Sequence, residues 1–224
     1  MSRLILVRHG QASFGSDNYD QLSELGHQQA HWLGEYFAAQ DLPVSRVICG
    51  DLLRHRQTVS GILSGLGQTL PTDQKDDWNE FDFHAVGAQF LAMHPEYRPD
   101  NNSPKAFFGL LRRALLAWSK NEITGSLPET WAEFETRILR ALDAVISSAE
   151  KHENILVVSS GGAIAMALKH ILAYPNDKVI DINLQTRNTG VSEIYFNATQ
   201  RYLASFNCLP HLSQAERSHA ITSA

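Results

Sequence analysis

Three short apolar runs, each followed by a polar or glycine residue and then by helical spacing, constrain the fold of this chain most. They are Leu4–Val7, Arg46–Cys49 and Asn154–Ser159. Uninterrupted apolar runs of this length are typical of strands buried on both faces of a parallel sheet. Alternation of such strands with helices predicts an α/β fold of three layers, with a mostly parallel sheet between helices. Val191–Asn197 and Tyr202–Cys208 are predicted to add an antiparallel edge.

Length and composition favour a single domain over residues 1–212. The chain has 224 residues, of which 43% are hydrophobic and 19% charged, a globular composition. Its net charge is −5 and it has no basic tract, which argues against nucleic acid as a partner. No apolar run is long enough for a membrane span and no signal peptide is evident, so a cytoplasmic protein is expected.

Two segments depart from the alternation of strands and helices. Residues 84–128 are expected to form a helical insertion over the rim of the sheet, where it would shape access to a site. Residues 213–224 have little to bury and are expected to form a flexible tail. The sequence does not determine the oligomeric state, and a homodimer is one of the options.

Polar residues gather where the three buried strands end. Arg8 and His9 follow the first strand, Asp51 and Arg54 follow the second, and Ser160-Gly161-Gly162 follows the third. Since the carboxyl ends of parallel strands share one edge, these groups are predicted to meet there. Arginine forks and glycine amides both suit an oxyanion such as phosphate.

Each of these features has a plainer interpretation. The first strand could end in solvent, and Arg54 and Arg56 could be surface arginines. Asp51 is expected to cap the second helix, whose first turn disfavours basic residues unless an anion balances them. The two glycines could serve tight packing alone.

An acid stands apart from these strand ends. Glu80 lies among aromatic residues, where loss of solvent would make the carboxyl hold its proton more tightly. Asp82 could play the same part, and either residue could be an ordinary surface acid. The sequence has no P-loop, no GxGxxG motif and no metal-ligand cluster. Phosphoryl transfer with a histidine nucleophile is the remaining chemistry.

Val7-Arg8-His9-Gly10 resembles the signature of the histidine phosphatase superfamily, the phosphoglycerate-mutase-like group. The resemblance extends along most of the chain, except for residues 84–128. It includes Leu22–Gly26 with Gln29-Ala30, Asp51–Arg54 with Gln57-Thr58, Trp78 with Glu80, and Thr130–Phe134 with Arg137.

The resemblance implies a phosphoglycerate-mutase-like fold and a phosphatase that acts on a small phosphomonoester without metal or other cofactor. His9 would attack phosphorus to form a phosphohistidine, and Glu80 would protonate the leaving oxygen and later activate water. Arg8 and Arg54 would hold the phosphoryl oxygens, together with Ser160 and Gly161.

One position departs from the family pattern. Ser160 stands where members of this family usually carry a second histidine. A serine can donate one hydrogen bond but supplies no positive charge, so reduced activity is expected unless Arg56 or His84 compensates. A mutase-type phosphotransferase and a protein that binds phosphorylated ligands with little turnover are the alternatives.

Overall fold

The computed structural model describes residues 1–13, 20–99, 101 and 103–223, with only the backbone at Pro104. These residues contain a six-stranded sheet in the order β3-β2-β4-β1-β5-β6. The strands are β1 (Ser2–Arg8), β2 (Arg46–Cys49), β3 (Thr72–Gln74), β4 (Asn154–Ser159), β5 (Val191–Phe196) and β6 (Arg201–Cys208).

Strand directions confirm the mostly parallel sheet. β1 pairs in parallel with β4, β4 with β2, and β2 with β3. β5 is antiparallel to β1, and β6 is antiparallel to β5, so the edge formed by these two strands is as predicted. The register pairs Arg8 with Ser159 and Val158 with Cys49, which aligns the carboxyl ends of the three central strands.

Helices cover both faces of the sheet and form the three predicted layers. They are α1 (Glu24–Ala39), α2 (Leu53–Leu66), α3 (Phe83–Met93), α4 (Pro104–Ser119), α5 (Trp131–Ser147), α6 (Gly161–Leu172) and α7 (Asn176–Gln185). On one face, α1 and α2 bury Phe37 and Ile62 against β1 and β2. On the other face, the fully buried Phe134 and Leu142 of α5 pack in a core with α6.

Two elements of the structure were not predicted from the sequence. The first is β3 (Thr72–Gln74), a short and largely exposed edge strand that has no apolar run to reveal it. The second is α7, which follows Pro175. Val179 and Ile180 are the buried residues of α7, too few to produce a helical pattern.

Side chains cap α1 and α5, and the start of α2 differs from the prediction. Ser23 caps α1, and Thr130 with Glu133 forms a capping box on α5. Asp51 does not cap α2, because its carboxylate accepts instead from the Asn79 side chain at 2.6 Å. The backbone N–H of Leu53 donates to Asp20 at 2.9 Å, so the anion at the start of α2 comes from another segment.

The segment 84–128 contributes α3, with its first residue at Phe83, and α4. Trp118 near the end of α4 is buried, with its ring centroid 5.0 Å from that of Phe81 and 5.1 Å from that of Trp131. These contacts join α4 to the core beside α5.

The described residues of the C-terminal segment make specific contacts. Ala215–Ala220 form a 3-10 helix, and Ala220 is fully buried. The side-chain amide of Gln29 on α1 donates to the carbonyl of Ala220 at 2.7 Å and to the hydroxyl of Thr222 at 2.9 Å. The segment therefore returns to the body of the domain near the start of α1.

Candidate active site

A cavity at the carboxyl ends of β1 and β4 brings together most of the residues singled out in the sequence. Arg8, His9, Arg54, Glu80 and Ser160 all line it. Its remaining described lining is largely apolar and comes from Phe81, Phe83, Phe107, Phe108, Leu111 and Leu184, with Asn183 and Ser223 beside them.

His9 has the protonation state of a nucleophile. Its ring is buried, and Nδ1 lies 2.7 Å from the carbonyl oxygen of Gly10. A carbonyl can only accept, so Nδ1 carries the proton and Nε2 carries the lone pair. Burial lowers the pKa of His9 well below 6.5, and the positive charges of Arg54 and Arg8 lower it further. The imidazole is therefore neutral at pH 7.

Two residues from the segments that resemble the family, Gly26 and Thr58, hold the loop after His9. Gly10 donates its N–H to the hydroxyl of Thr58 at 3.0 Å. A Cβ at position 10 would lie 2.5 Å from the carbonyl oxygen of Gly26, so α1 and this loop approach more closely than a side chain allows. The amide of Asn188 donates to the carbonyl of His9 at 3.1 Å. Asn188 lies outside every motif in the sequence.

Arg54 lies buried in the first turn of α2, where the helix dipole disfavours a cation. Its Nη1 is 2.6 Å from Oδ1 of Asp20. The other oxygen of Asp20 accepts from the N–H of Leu53. One carboxylate thus offsets the charge of Arg54 and caps α2, and sequence reasoning did not identify it.

Arg8 is oriented by two segments distant in sequence. Its Nη1 donates to the carbonyl of Thr186 at 2.5 Å and to the carbonyl of Ser223 at 2.7 Å. Thr186 directly follows α7, and Ser223 lies near the C-terminus. Neither contact is visible in the sequence, because both partners are backbone carbonyls.

Glu80 lines the same cavity as the two arginines and is held by the start of α6. Its Oε2 accepts from the N–H of Gly162 at 2.9 Å. Burial raises the pKa of the Glu80 carboxyl, while the bond from Gly162 and the charges of Arg54 and Arg8 oppose that rise. A carboxyl with a raised pKa is suited to general acid and base work near neutral pH.

The two glycines at the start of α6 make room for side chains. A Cβ at position 162 would lie 2.3 Å from Oε1 of Glu80. A Cβ at position 161 would lie 2.5 Å from both Asn183 Oδ1 and Thr186 Oγ1. Gly162 gives its N–H to Glu80, and the binding of substrate by Gly161 remains a prediction.

Ser160 has a buried partner that sequence reasoning missed. Nε2 of His55 lies 2.7 Å from the hydroxyl oxygen of Ser160, and both residues are buried. The ring centroid of His55 is 5.7 Å from that of His9. A signal for it existed, because His55 directly follows Arg54 in the second arginine motif.

The two compensating cations considered from the sequence do not line this cavity. Arg56 is exposed and lies in a surface groove beside Val59 and Leu63. His84 is exposed, and its ring is tilted against that of Phe83, with ring centroids 4.1 Å apart. The imidazole beside Ser160 is that of His55 instead.

The described residues contain neither a candidate metal site nor a candidate membrane span. Among them, no group of three or more His, Cys, Asp and Glu side chains could hold a metal ion. In the same part of the chain, no helix is long and apolar enough to cross a bilayer.

Comparison with known proteins places this geometry in a family. A sequence model of the histidine phosphatase superfamily (branch 1) matches residues 4–209. A broad-specificity phosphatase from Saccharomyces cerevisiae is 25% identical over 223 residues, which cover 96% of this chain and 89% of that protein.

Two solved structures share the fold. A phosphoserine phosphatase variant from Entamoeba histolytica, in complex with phosphoserine, superposes with a TM-score of 0.67 at 20% identity, covering 95% of this chain and 100% of that chain. A mycobacterial glucosyl-3-phosphoglycerate phosphatase with inorganic phosphate gives a TM-score of 0.65 at 21% identity, with coverage of 95% and 100%. At these identities the likeness concerns the fold.

Proposed function

The chain belongs to branch 1 of the histidine phosphatase superfamily, and from that membership we propose that it hydrolyses small phosphomonoesters through a phosphohistidine at His9. One observation carries the proposal. A buried, neutral imidazole keeps the Nε2 lone pair in a cavity that also holds two arginines and a carboxyl with a raised pKa. That is the set of groups that transfer of a phosphoryl group to histidine requires.

In the first step, Nε2 of His9 attacks phosphorus while the bond from phosphorus to the ester oxygen breaks. The guanidinium groups of Arg8 and Arg54 stabilise the charge on the transferring phosphoryl oxygens. Glu80, in its acid form, gives its proton to the leaving oxygen, which departs as an alcohol.

In the second step, the carboxylate of Glu80 takes a proton from water, whose oxygen attacks the phosphohistidine. The bond from phosphorus to Nε2 breaks, and inorganic phosphate leaves. Glu80 and His9 return to their starting states, so the cycle needs neither metal nor cofactor.

The cavity walls favour substrates with an uncharged, apolar leaving group. Beyond Arg8, Arg54 and the nucleophile, the described lining carries no cation to pair with a substrate carboxylate. The residues outside the described part of the chain include no Lys, Arg or His. Phe83, Phe107 and Phe108 offer apolar surface instead. This argues against 3-phosphoglycerate and therefore against the mutase alternative.

Release of p-nitrophenol from p-nitrophenyl phosphate, with and without EDTA, tests the function. We expect release that EDTA does not reduce and that His9→Ala abolishes. His27→Ala is the matched control, because His27 is an exposed histidine on α1. Release that survives His9→Ala would refute the nucleophile assignment. Binding of phosphate without turnover by the wild-type protein would instead support the ligand-binding alternative.

A substrate comparison tests the specificity. We expect kcat/KM to be higher for 1-naphthyl phosphate than for phosphoserine or 3-phosphoglycerate. Equal or reversed preference would contradict an apolar site while leaving the phosphatase function intact. Conversion of 3-phosphoglycerate to its 2-isomer would show mutase activity.

A further inference from the structure

Ser160 is placed as a helix cap but does not act as one. It is the N-cap residue of α6, a position where serine usually accepts a hydrogen bond from the N–H two or three residues on. Here its side chain makes no capping bond. Its hydroxyl oxygen lies 2.7 Å from Nε2 of His55. Something other than the helix thus determines the orientation of this hydroxyl.

The surroundings of His55 decide which atom of the pair donates. Its other nitrogen, Nδ1, is buried and has no hydrogen-bond partner among the described residues. It lies against Gly50, where a Cβ would be only 2.2 Å away. Burial, followed by the charge of Arg54, keeps the pKa of His55 well below 6.5, so the ring is neutral and carries one proton.

Buried N–H groups without an acceptor are rarer than buried acceptors without a donor. The single proton of His55 therefore belongs on Nε2, which donates to Ser160. The Ser160 oxygen has then used one lone pair as an acceptor, and its own O–H must turn elsewhere. Ser160 lines the cavity together with His9, Arg8 and Arg54, where a phosphoryl group held by the arginines would offer an oxygen as acceptor.

We propose that His55 is a positioning residue that orients the hydroxyl of Ser160 as a hydrogen-bond donor to the phosphoryl group. In its catalytic consequence this inference rests on the phosphatase function proposed above. The buried pair replaces the directed donor that a second histidine would provide, but it leaves the positive charge to Arg8 and Arg54. The hydroxyl touches the substrate, whereas His55 acts through it.

A double-mutant cycle tests the proposal, with the dissociation constant (Kd) of orthovanadate and kcat/KM for p-nitrophenyl phosphate as readouts. A hydrogen bond to a charged acceptor corresponds to about 10- to 100-fold in binding. We expect Ser160→Ala and His55→Leu each to weaken vanadate binding by about that factor. The double variant should be no weaker than either single variant, because His55 acts only through the hydroxyl that Ser160→Ala removes.

Two amide variants separate positioning from packing. The amide nitrogen of Gln reaches the place of imidazole Nε2, whereas that of Asn reaches the place of Nδ1. His55→Gln should therefore keep vanadate binding close to wild type, and His55→Asn should resemble Ser160→Ala. His211→Gln is the matched control, since His211 is also buried and its Nε2 lies 2.9 Å from the Thr189 hydroxyl; its vanadate Kd should not change.

Additive losses in the double variant, or equal binding by the Gln and Asn variants, would overturn the proposal. Should His55→Leu fail to fold, the comparison of Gln with Asn decides alone. Failure of the wild-type protein to hydrolyse p-nitrophenyl phosphate would refute the proposed function. The double-mutant cycle on vanadate binding would still test whether His55 acts through Ser160.

Discussion

At the scale of single residues, Glu80 performs two opposite proton transfers in the proposed cycle. Glu80→Gln keeps the size of the side chain and removes both transfers. With p-nitrophenyl phosphate, whose leaving group needs little protonation, the first step should survive while hydrolysis of the phosphohistidine slows by about 10²- to 10⁴-fold. We therefore expect a burst of about one p-nitrophenol per protein, followed by slow turnover. The mass of the intact protein should show one added phosphoryl group, which we assign to His9.

Two outcomes would contradict that assignment of Glu80. The first is steady turnover by Glu80→Gln at the wild-type rate. The second is loss of the burst while vanadate binding is retained, because it would mean that Glu80 is needed before the phosphohistidine forms. Asp82→Asn is a suitable control, because Asp82 is an exposed carboxylate two residues away that caps α3.

A substitution at Gly162 also tests the role of the Glu80 carboxylate, because Gly162 contacts it. A methyl group at position 162 would lie 2.3 Å from Oε1 of Glu80, so Gly162→Ala must displace the carboxyl or the start of α6. We expect a lower kcat with an intact fold. Gly87→Ala on α3 is the control, since nothing lies within 4 Å of its Cβ position, and it should be stabilised by about 0.5–1 kcal/mol. Equal kcat values for both variants would rule out crowding at Glu80.

At the scale of elements, α5 holds the turn that carries Glu80. Nη1 of Arg137 donates to the carbonyls of Asp77 and Asn79, both at 3.0 Å. Its other nitrogens pair with Glu129. The 3-10 helix Asp76–Trp78 lies just before Glu80. Arg137 therefore fixes the position of Glu80 through the backbone of the preceding residues. The sequence indicated Arg137 as part of a motif, but not this role.

We expect Arg137→Ala to lower both kcat and the free energy of unfolding, the latter by about 1.5–3 kcal/mol, because it leaves two partly buried carbonyls without a charged donor. Arg140→Ala is the matched control on the same helix. Its side chain is 68% exposed and pairs only with the Asp77 carboxylate among described groups, so kcat should stay close to wild type. Urea denaturation and p-nitrophenyl phosphate kinetics measure both effects. Equal changes in the two variants would contradict a role for Arg137 in placing Glu80.

At the scale of the whole molecule, buried histidines make stability depend on pH. Burial lowers the pKa of His9 and His55 well below 6.5, and lowers the pKa of His211 to about 3. Below pH 6.5 the unfolded chain binds protons at these positions that the folded protein does not. Acidification therefore favours unfolding, by up to about 1.4 kcal/mol per pH unit for each histidine.

Glu80 acts in the opposite direction. Its pKa is raised in the folded protein, so it contributes stability at low pH that is lost as the pH rises through that pKa. The effect of the three buried histidines exceeds that of the one carboxyl, so we expect the protein to lose stability on acidification from pH 7 to 5.5. Urea denaturation at pH 8, 7, 6 and 5.5 measures it, and His211→Gln should give a shallower dependence. Stability that rises over this range on acidification would show that the histidines are not buried in the neutral form.

The sequence by itself determined the α/β class, the direction of the central strands and the residues at their carboxyl ends. Apolar runs and helical spacing are local patterns, and parallel strands bring their ends to one edge, so Arg8, His9, Arg54 and Ser160 could be grouped in advance. Capping by Ser23 and Thr130 is equally local. Glu80, which no strand end carries, was indicated by its aromatic neighbours, and the resemblance of the motifs to one family gave it a role.

Only the tertiary structure decided which groups touch. The partner of Ser160 is a histidine 105 residues earlier in the chain, and the carbonyl of Ser223 reaches Arg8 across 215 residues. Asp20 caps a helix that begins far along the chain from it. These pairings depend on the packing of separate elements and, in part, on backbone atoms that every residue has. No local pattern encodes them, so the second imidazole of the site was found only when the chain was folded.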